Sequence, residues 1–503
     1  MNKNFSPKNW LIVDEYSQTL ASIESLKQLE INILLKKDLE ENKELRFSLD
    51  DKICILSETS LELVLKRLND WELIQVIRDL KNKVKSRKIL QNLYPDFYFK
   101  FLTFSEILNF DVENDKKYVI KPVKGCGGIG VRIIDSNTDL NQLTIDIRQD
   151  LKNNIKFYPD SVLSEEEFLI EEFIEGEEYA VDMFYSETGE PVIINIYHHP
   201  LPKKWEYLDT LYYTCQEIFN LLYDKLLDFF EKLNQIINVE SFPIHAEFKF
   251  DGKRVIPIEL NPLRFGGCGL SDLAYYAFNF NPFEYFYFNN KPNWDVLWKQ
   301  KQNKIYAWVL GYNDANIDIE YYRPNWRKFR NLFSHILGDV VFNYKDYLGF
   351  SVMYIEEDDI KKIQELVNID FQKFFIGSQA YSDKSYWEMY HQGHEVNIPT
   401  GVTLWRQGDY ADYLILVLEG MLEIVRESSD SQSIVLDTVE QGSAVGELSV
   451  LDGLPRLDTV RTKTPCTVRK ISGSDFRKLI YNSPDLLEDL FWQQVYRLRK
   501  LNR

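Results

Sequence analysis

The sequence predicts a multidomain α+β protein, and three observations predict it. Its 503 residues suffice for about three or four domains of roughly 100–200 residues each. Apolar residues make up 45% and charged residues 27%, an ordinary globular composition with ample core material. Strand-like apolar runs mix with helical periodicity as far as residue 378, whereas from residue 396 short strands with turn signals follow one another, up to a final helix from about Pro484.

Taken in order, residues 1–80 mix the apolar runs WLIVD, INILL and KICIL with the stretch SLELVLKRLNDWELIQVIRDLKNK. There Leu61, Leu63, Val64, Leu65, Leu68, Trp71, Leu73, Ile74, Val76 and Ile77 recur at helical spacing as a thick apolar face, so this part reads as a small α/β lobe. Residues 81–294 form the next expected domain. In it KYVIKPVKGCGGIGVRIID (117–135) places two strand-like runs around a glycine loop, and EEFLIEEFI, EYAVDMFYS and PVIINIY read as strands. QEIFNLLYDKLLDFFEKLNQIIN (216–238) is an amphipathic helix, and IHAEFKF and RVIPIEL form a hairpin through a DGK turn. Residues 295–378 read as an α/β extension without a chemical signature, 379–395 as a linker, and 396–503 as a small β-roll with a terminal helix.

Charge and cysteine usage narrow the partners. The net charge of −19, from 78 acidic and 59 basic residues, argues against duplex nucleic acid and anionic membranes. The five cysteines are scattered without a C-x-x-C pair, as expected of free thiols in a reducing compartment. The opening apolar run is too short for a signal peptide and no run is long enough for a membrane span, so a cytoplasmic location is expected.

The glycine loop contains a G-x-G-x-x-G at Gly125, Gly127 and Gly130. A dinucleotide fold needs a helix directly after the glycines, but VRIID follows. A P-loop needs Gly-Lys-Ser/Thr at its end, but Val131 and Arg132 stand there. A protein kinase would need H-R-D and D-F-G, and neither occurs. What remains is a glycine flap between two strands with its lysine ahead of it, K-P-x-x-G-x-G-G-x-G.

With this flap, residues 80–290 resemble the ATP-grasp superfamily, in which two α/β lobes sandwich ATP. The resemblance implies that Lys121 meets the α- and β-phosphates and that Gly125, Gly127 and Gly128 close backbone N–H groups over the β- and γ-phosphates. In EEFIEGEEYAVD it assigns the backbone of Glu171, Glu172, Phe173 and Ile174 to the adenine edge and Glu178 to the ribose hydroxyls. In NKVKSRKIL, where Asn82, Lys83 and Arg87 fit the family pattern, it assigns Lys83 to the α-phosphate, with Lys85 and Lys88 as competitors. In HAEFKFDGKRVIPIELNPLRFGG, Glu247 lies on one strand and Glu259 and Asn261 on the next, two residues apart and so on one face. These three hard oxygen donors suit Mg²⁺, or Mn²⁺, and Arg264 beyond them would reach the transferring phosphoryl group or a substrate carboxylate. His198 and His199 are read as structural.

Residues from about 395 onward resemble the cyclic-nucleotide-binding domain, in strand pattern and in the cassette GELSVLDGLPRLDTVRT (446–462). The resemblance implies that Gly446, Glu447, Leu448 and Ser449 begin a short helix facing the cyclic phosphate, with Glu447 accepting from the ribose 2′-hydroxyl. Arg456 would pair with the phosphate and Leu457 would offer its backbone N–H, while Gly408 and Gly420 would serve turns. The cassette departs from the family at Leu457 and Asp458, where two small residues are usual, and Asp458 brings a carboxylate near the phosphate.

Together the two resemblances imply an ADP- and phosphate-forming ligase that joins a small carboxylate, a peptide among the candidates, to an amine or thiol. ATP and Mg²⁺ would be its cofactors, and cAMP or cGMP its effector. The amphipathic helix DLLEDLFWQQVYRLRKL would relay the effector signal and could pair in a homodimer. The alternative is a non-catalytic sensor or docking protein that binds ATP and cyclic nucleotide.

Overall fold

The computed structural model describes residues 8–14, 20–123, 129–154, 167–202, 209–314, 316–319, 322–342, 344–345, 347–377, 383–427 and 433–501. The chain forms two units, Met1–Tyr312 with Asn331–Asp370, and Asn313–Arg330 with Phe371–Arg503. This division crosses the expected boundaries, since part of the 295–378 extension folds with the C-terminal half. The reason is burial: Phe329 is fully buried with its ring 5.4 Å from that of Phe374, and Asn325 N–H donates to Phe374 O at 2.6 Å. The expected linker 379–395 contains the helix Asp383–Tyr390 and the first residues of the strand His394–Ile398.

In the first unit, the apolar runs at the start become a three-stranded parallel sheet in the order Asn32–Leu35, Asn9–Val13, Lys52–Ile55. Leu11, Ile12 and Val13 are all buried, as a parallel strand covered on both faces requires. Three contacts pin this lobe to later chain: Ile55 N–H to Leu263 O at 2.8 Å, Ser22 Oγ to Asp272 Oδ1 at 2.5 Å, and Tyr287 OH to Trp10 O at 2.7 Å. The stretch of helical periodicity over 60–83 forms two helices, Leu61–Leu65 and Trp71–Lys81. Asp70 caps the second piece, its side chain accepting from Leu73 N–H, and Trp71 then points outward at 68% exposure rather than into the apolar face.

A four-stranded sheet carries the flap, in the order Phe99–Thr103, Glu167–Glu172, Tyr118–Pro122, Arg132–Ile134. Ile147 and Leu151 of the helix Leu140–Asn154 pack on its Ile120, Phe168 and Ile170. The largest sheet has eight strands, all neighbours antiparallel, in the order Val255–Pro262, Phe242–Phe250, Glu177–Tyr185, Pro191–His199, Leu211–Cys215, Ile305–Tyr312, Gly349–Glu357, Ile336–Val341. Three strands from the stretch without a signature thus extend the sheet of the preceding domain. The helix Gln216–Ile237 presents a buried stripe that includes Leu222, Leu226, Phe229, Phe230 and Leu233, and both phenylalanines meet Phe248 edge-on.

In the second unit two four-stranded antiparallel sheets form the roll. Trp405, Ile415, Val417, Leu422, Val460 and Val468 are among its core residues. Gly408 and Gly420 both take φ near +89°, and a Cβ at Gly420 would lie 2.3 Å from Pro465 O, so that turn needs glycine. The helix Pro484–Leu501 buries Leu486 against Leu414, Leu416, Val450 and Phe476. No described helix is long and apolar enough to cross a membrane.

Phe230 of the helix Gln216–Ile237 is fully buried against the sheet, edge-on to Phe248. Phe230→Ala is expected to destabilise the first unit by about 3–5 kcal/mol, measured as a lower urea midpoint in tryptophan fluorescence; a change below about 1 kcal/mol would show that the helix is not part of that core.

Candidate functional site

The hairpin of Phe242–Phe250 and Val255–Pro262 places Glu247 directly opposite Glu259 and His245 opposite Asn261. A bulge follows at Glu247/Phe248. Burial raises the Glu247 carboxyl, and the facing Glu259, Glu178 and Asp209 raise it further, so that it lies well above the ordinary carboxylate range. Glu259 is held low instead: burial opposes its charge, but Lys83 and Lys81 overcome that cost. Lys83 Nζ lies 3.5 Å from Glu259 Oε1, and Lys81 Nζ lies 3.4 Å from the same oxygen and 2.8 Å from Asn261 Oδ1. Of the competing lysines, Lys85 turns away to Asp79 at 2.7 Å and Lys88 is exposed.

Glu58, from the turn after the strand Lys52–Ile55, closes this array. Its Oε2 lies 2.6 Å from Lys81 Nζ and its Oε1 accepts from Arg264 Nη2 at 2.8 Å. Burial disfavours its charge, yet Lys81 and Arg264 hold the carboxyl well below its ordinary value. Arg264, Glu58, Lys81 and Glu259 therefore form a chain of alternating charges.

A second buried group joins the flap to the helix Lys83–Leu90. Arg87 grips Glu171 with two bonds, 2.7 Å to Oε2 and 3.1 Å to Oε1, and Lys121 pairs with the same carboxylate. Burial costs Glu171 its charge, but these two cations bring its pKa down to about 2. Glu171 itself lies inside the ladder, opposite Phe99 on one side and Val119 on the other. Glu172 N–H donates to Tyr98 O at 3.1 Å and Phe173 N–H to Lys117 O at 2.9 Å. The amides of Glu172 and Phe173 are thus bonded inside the protein, which leaves the Ile174 amide and the backbone carbonyls of this stretch for the expected hinge. Gly125, Gly127 and Gly128 lie outside the described residues. At Gly130, φ is +74° and a Cβ would meet Pro122 Cγ at 2.9 Å, so the flap closes on glycine.

Glu178 accepts from His199 Nδ1 at 2.8 Å and lies 3.3 Å from Lys249 Nζ. Burial raises its pKa, but these partners bring it below the ordinary value. His199 stacks on Tyr212 and its Nε2 lies 3.7 Å from Asp209, so it faces the carboxylate cluster rather than serving the sheet alone. Behind the hairpin, fully buried Asp182 accepts from Tyr197 OH at 2.8 Å and from Gly266 N–H at 2.7 Å, and its Oδ1 lies 2.8 Å from His245 Nδ1. That network holds the loop carrying Arg264.

The donor set fits a divalent cation. Glu247, Glu259 and Asn261 are hard oxygen donors, and the first two lie directly opposite each other across the hairpin. Among the described residues no three His, Cys, Asp or Glu side chains gather as a metal cage. Two carboxylates and one amide leave the remaining positions for water and phosphate, the usual arrangement for Mg²⁺.

In the roll, Gly446 takes φ +88° at the start of the helix Glu447–Asp452. Arg456 is buried, its guanidinium 4.0 Å from the Trp405 ring centre and 4.9 Å from that of Tyr413, and it donates to Gly446 O at 3.1 Å. A Cβ at Gly446 would lie 2.5 Å from that guanidinium. Glu447 is 1% exposed; its Oε1 accepts from Gln494 at 2.7 Å and from Arg497, while Oε2 is buried without a hydrogen-bond partner among the described residues. Such an oxygen fits a hydroxyl donor. Asp458 accepts two bonds of 3.1 Å from Arg426, which neutralises the carboxylate that departs from the family pattern. Leu457 is 52% exposed.

Residues 115–272 match the family model of the ATP-grasp domain, and residues 395–483 that of the cyclic nucleotide-binding domain. The chain joins an ATP-grasp domain to a cyclic nucleotide-binding domain. The chain shares a fold with the L-amino acid ligase of Bacillus licheniformis, at a TM-score of 0.51 and 13% identity over 74% of this chain and 98% of that one. A stretch of 107 residues is 34% identical to the cAMP-activated global transcriptional regulator CRP of Salmonella typhimurium, covering 21% of this chain and 51% of that protein. The same regulator of Pasteurella multocida is 30% identical over 111 residues, covering 22% and 53%. The chain thus spans about half the length of these curated relatives.

Reading the ATP-grasp domain from sequence missed Glu58 and Lys81, which lie in no motif; they reach the centre only through the docking of the first lobe. Asp182 carried a signal, a charge inside the apolar run EYAVDMFY.

Because Glu247 titrates higher in the folded protein than in the unfolded chain, the folded state binds its proton more tightly. Its contribution to stability is complete below the ordinary carboxylate pKa and is lost as pH rises through the raised value. Metal-free protein is expected to lose melting temperature above about pH 5 and Glu247→Gln to lose less; identical profiles for the two proteins in differential scanning calorimetry would refute the burial of an unmatched carboxyl.

Proposed function

We propose that the protein is an ATP- and Mg²⁺-dependent ligase that joins a small-molecule carboxylate to an amine or thiol through an acylphosphate, under the control of a cyclic nucleotide held by its C-terminal domain. The observation that carries this reading is the convergence of Glu247, Glu259 and Asn261 with Lys81, Lys83 and Arg264 in one buried cluster. The fold shared with an L-amino acid ligase supports amino acids as the first carboxylates to test.

In this reading Glu247, Glu259 and Asn261 hold Mg²⁺. When bound, the ion neutralises charge on the β- and γ-phosphates. Ile174 N–H meets the adenine edge and Glu178 the ribose hydroxyls, exchanging His199 or Lys249 for them. Lys83 and Lys121 meet the phosphates, and Gly125, Gly127 and Gly128 cover them. Arg264, steadied by Glu58, sits at the transferring phosphoryl group. A substrate carboxylate oxygen attacks the γ-phosphorus in line, the bond to the β-phosphate oxygen breaks, and ADP leaves. The nucleophile then attacks the acyl carbon, the bond to phosphate oxygen breaks, phosphate departs, and the nucleophile releases a proton. ATP and the effector point to the cytoplasm as the compartment.

In the C-terminal domain Arg456 takes the cyclic phosphate and Glu447 Oε2 the ribose 2′-hydroxyl, with Gly446, Leu448, Ser449 and Leu457 lining the cassette. The similarity to a cAMP-activated regulator makes cAMP the first nucleotide to test, with cGMP beside it.

The test is release of ADP and phosphate from MgATP with mixed amino acids, read together with mass spectrometry of the products. Release coupled to a new amide or thioester mass is expected, and Glu259→Ala should lower kcat by about a hundredfold or more. ATP binding with no new product mass would instead identify a non-catalytic sensor. Calorimetry is expected to show cAMP or cGMP binding that Arg456→Met weakens by about tenfold to a hundredfold.

A further inference from the structure

The chain leaves the eight-stranded sheet after Ile305–Tyr312, spends residues 313–330 in the second unit, and returns to the first before Ile336–Val341. Two elements of this excursion are the strand Tyr322–Pro324 and the helix Trp326–Arg330. The strand pairs with Phe375–Gly377, and its Arg323 side chain is held by the C-terminal helix Pro484–Leu501. Arg323 Nη2 lies 2.9 Å from Asp489 Oδ1, both side chains almost wholly buried. The Trp326 and Trp492 rings stack at 5.3 Å and 22°, and the Arg323 guanidinium lies 5.5 Å from the Trp492 ring centre.

The same helix touches the cassette. Gln494 and Arg497 donate to Glu447 Oε1, and Arg497 Nη2 donates to Ala444 O at 2.8 Å. Asp489 and Trp492 are three residues apart, as are Gln494 and Arg497, so each pair shares one edge of the helix. Between the edges Leu486, Leu490 and Gln493 are buried. One carboxylate is thus divided: Oε1 belongs to the helix, and Oε2 is buried and without a hydrogen-bond partner among the described residues.

We infer that the element Tyr322–Arg330 is the route by which nucleotide bound at Glu447 is felt in the ATP-grasp domain, with the C-terminal helix as its lever. The inference rests on the cyclic-nucleotide reading above. A ribose hydroxyl on Oε2 completes the Glu447 carboxylate and fixes its other oxygen toward Gln494 and Arg497, which orders the end of the helix. The helix cannot shift alone without breaking this ion pair between two almost wholly buried side chains. Tyr322–Arg330 therefore moves or stiffens with it. Its chain continues into strands of the ATP-grasp sheet on both sides, so the constraint passes along covalent bonds.

The test uses the full chain with cAMP, cGMP and a non-hydrolysable ATP analogue with Mg²⁺. Calorimetry of each cyclic nucleotide, with and without the analogue, is expected to show affinities differing by about fivefold or more. The double variant R323M/D489L, which removes both charges together, should bind the nucleotide within about twofold of the natural protein while the effect of the analogue disappears. W326A, first checked for folding by its melting transition, should give the same loss. Hydrogen exchange should slow in 322–330 and 484–501 when nucleotide binds. Coupling retained in both variants, or unchanged or faster exchange in 322–330, overturns the inference. If neither nucleotide binds the natural protein, the cassette reading has failed and the inference falls with it; that failure is distinct, because it appears before any variant is compared.

Discussion

Two glutamates face each other across adjacent strands, and their repulsion is the constraint around which the first unit is arranged. Glu247 and Glu259 are opposite in register and both are buried, where like charges interact strongly. The protein satisfies one of them with Lys81 and Lys83 and leaves the other raised. A carboxylate kept in that state is costly unless something positive is meant to reach it. The facing pair, with Lys81 and Lys83 on one of its members, is the geometry on which the proposed cation site rests.

Holding them is the work of elements far apart in the chain. The first lobe contributes Glu58, which spaces Arg264 from Lys81, and it is kept in position by Ile55 on Leu263 and Ser22 on Asp272. Asp182 anchors the loop beyond Arg264 from behind through Gly266. Arg87 and Lys121, from a helix and the flap strand, meet on Glu171. Each cation thus has a carboxylate partner supplied by a different element, so the lysines and arginine are oriented before any phosphate arrives.

The second unit follows the same logic with fewer groups. Arg456 rests on two aromatic faces and a carbonyl, and Glu447 is shared between the roll and the C-terminal helix. Asp458, which departs from the pattern of the cassette, is neutralised by Arg426 from a neighbouring strand. Residues 313–330 fold with the second unit although the chain on both sides of them belongs to the first.

The sequence by itself determined the local elements and the reactive face of the hairpin. Alternating apolar residues at period two made the strands around Glu247, Glu259 and Asn261 legible, and the 216–238 stripe made its helix legible, because these patterns follow from neighbours in the chain. The break at Asp70 was less visible, since the capped turn interrupts a periodicity that continues on both sides of it. Only the tertiary structure decided that Glu58 and Lys81 belong to the centre, that the amides of Glu172 and Phe173 are already used, and that residues 313–330 side with the C-terminal half. Those outcomes depend on which buried charge finds which partner across tens or hundreds of residues, and no local pattern encodes that choice.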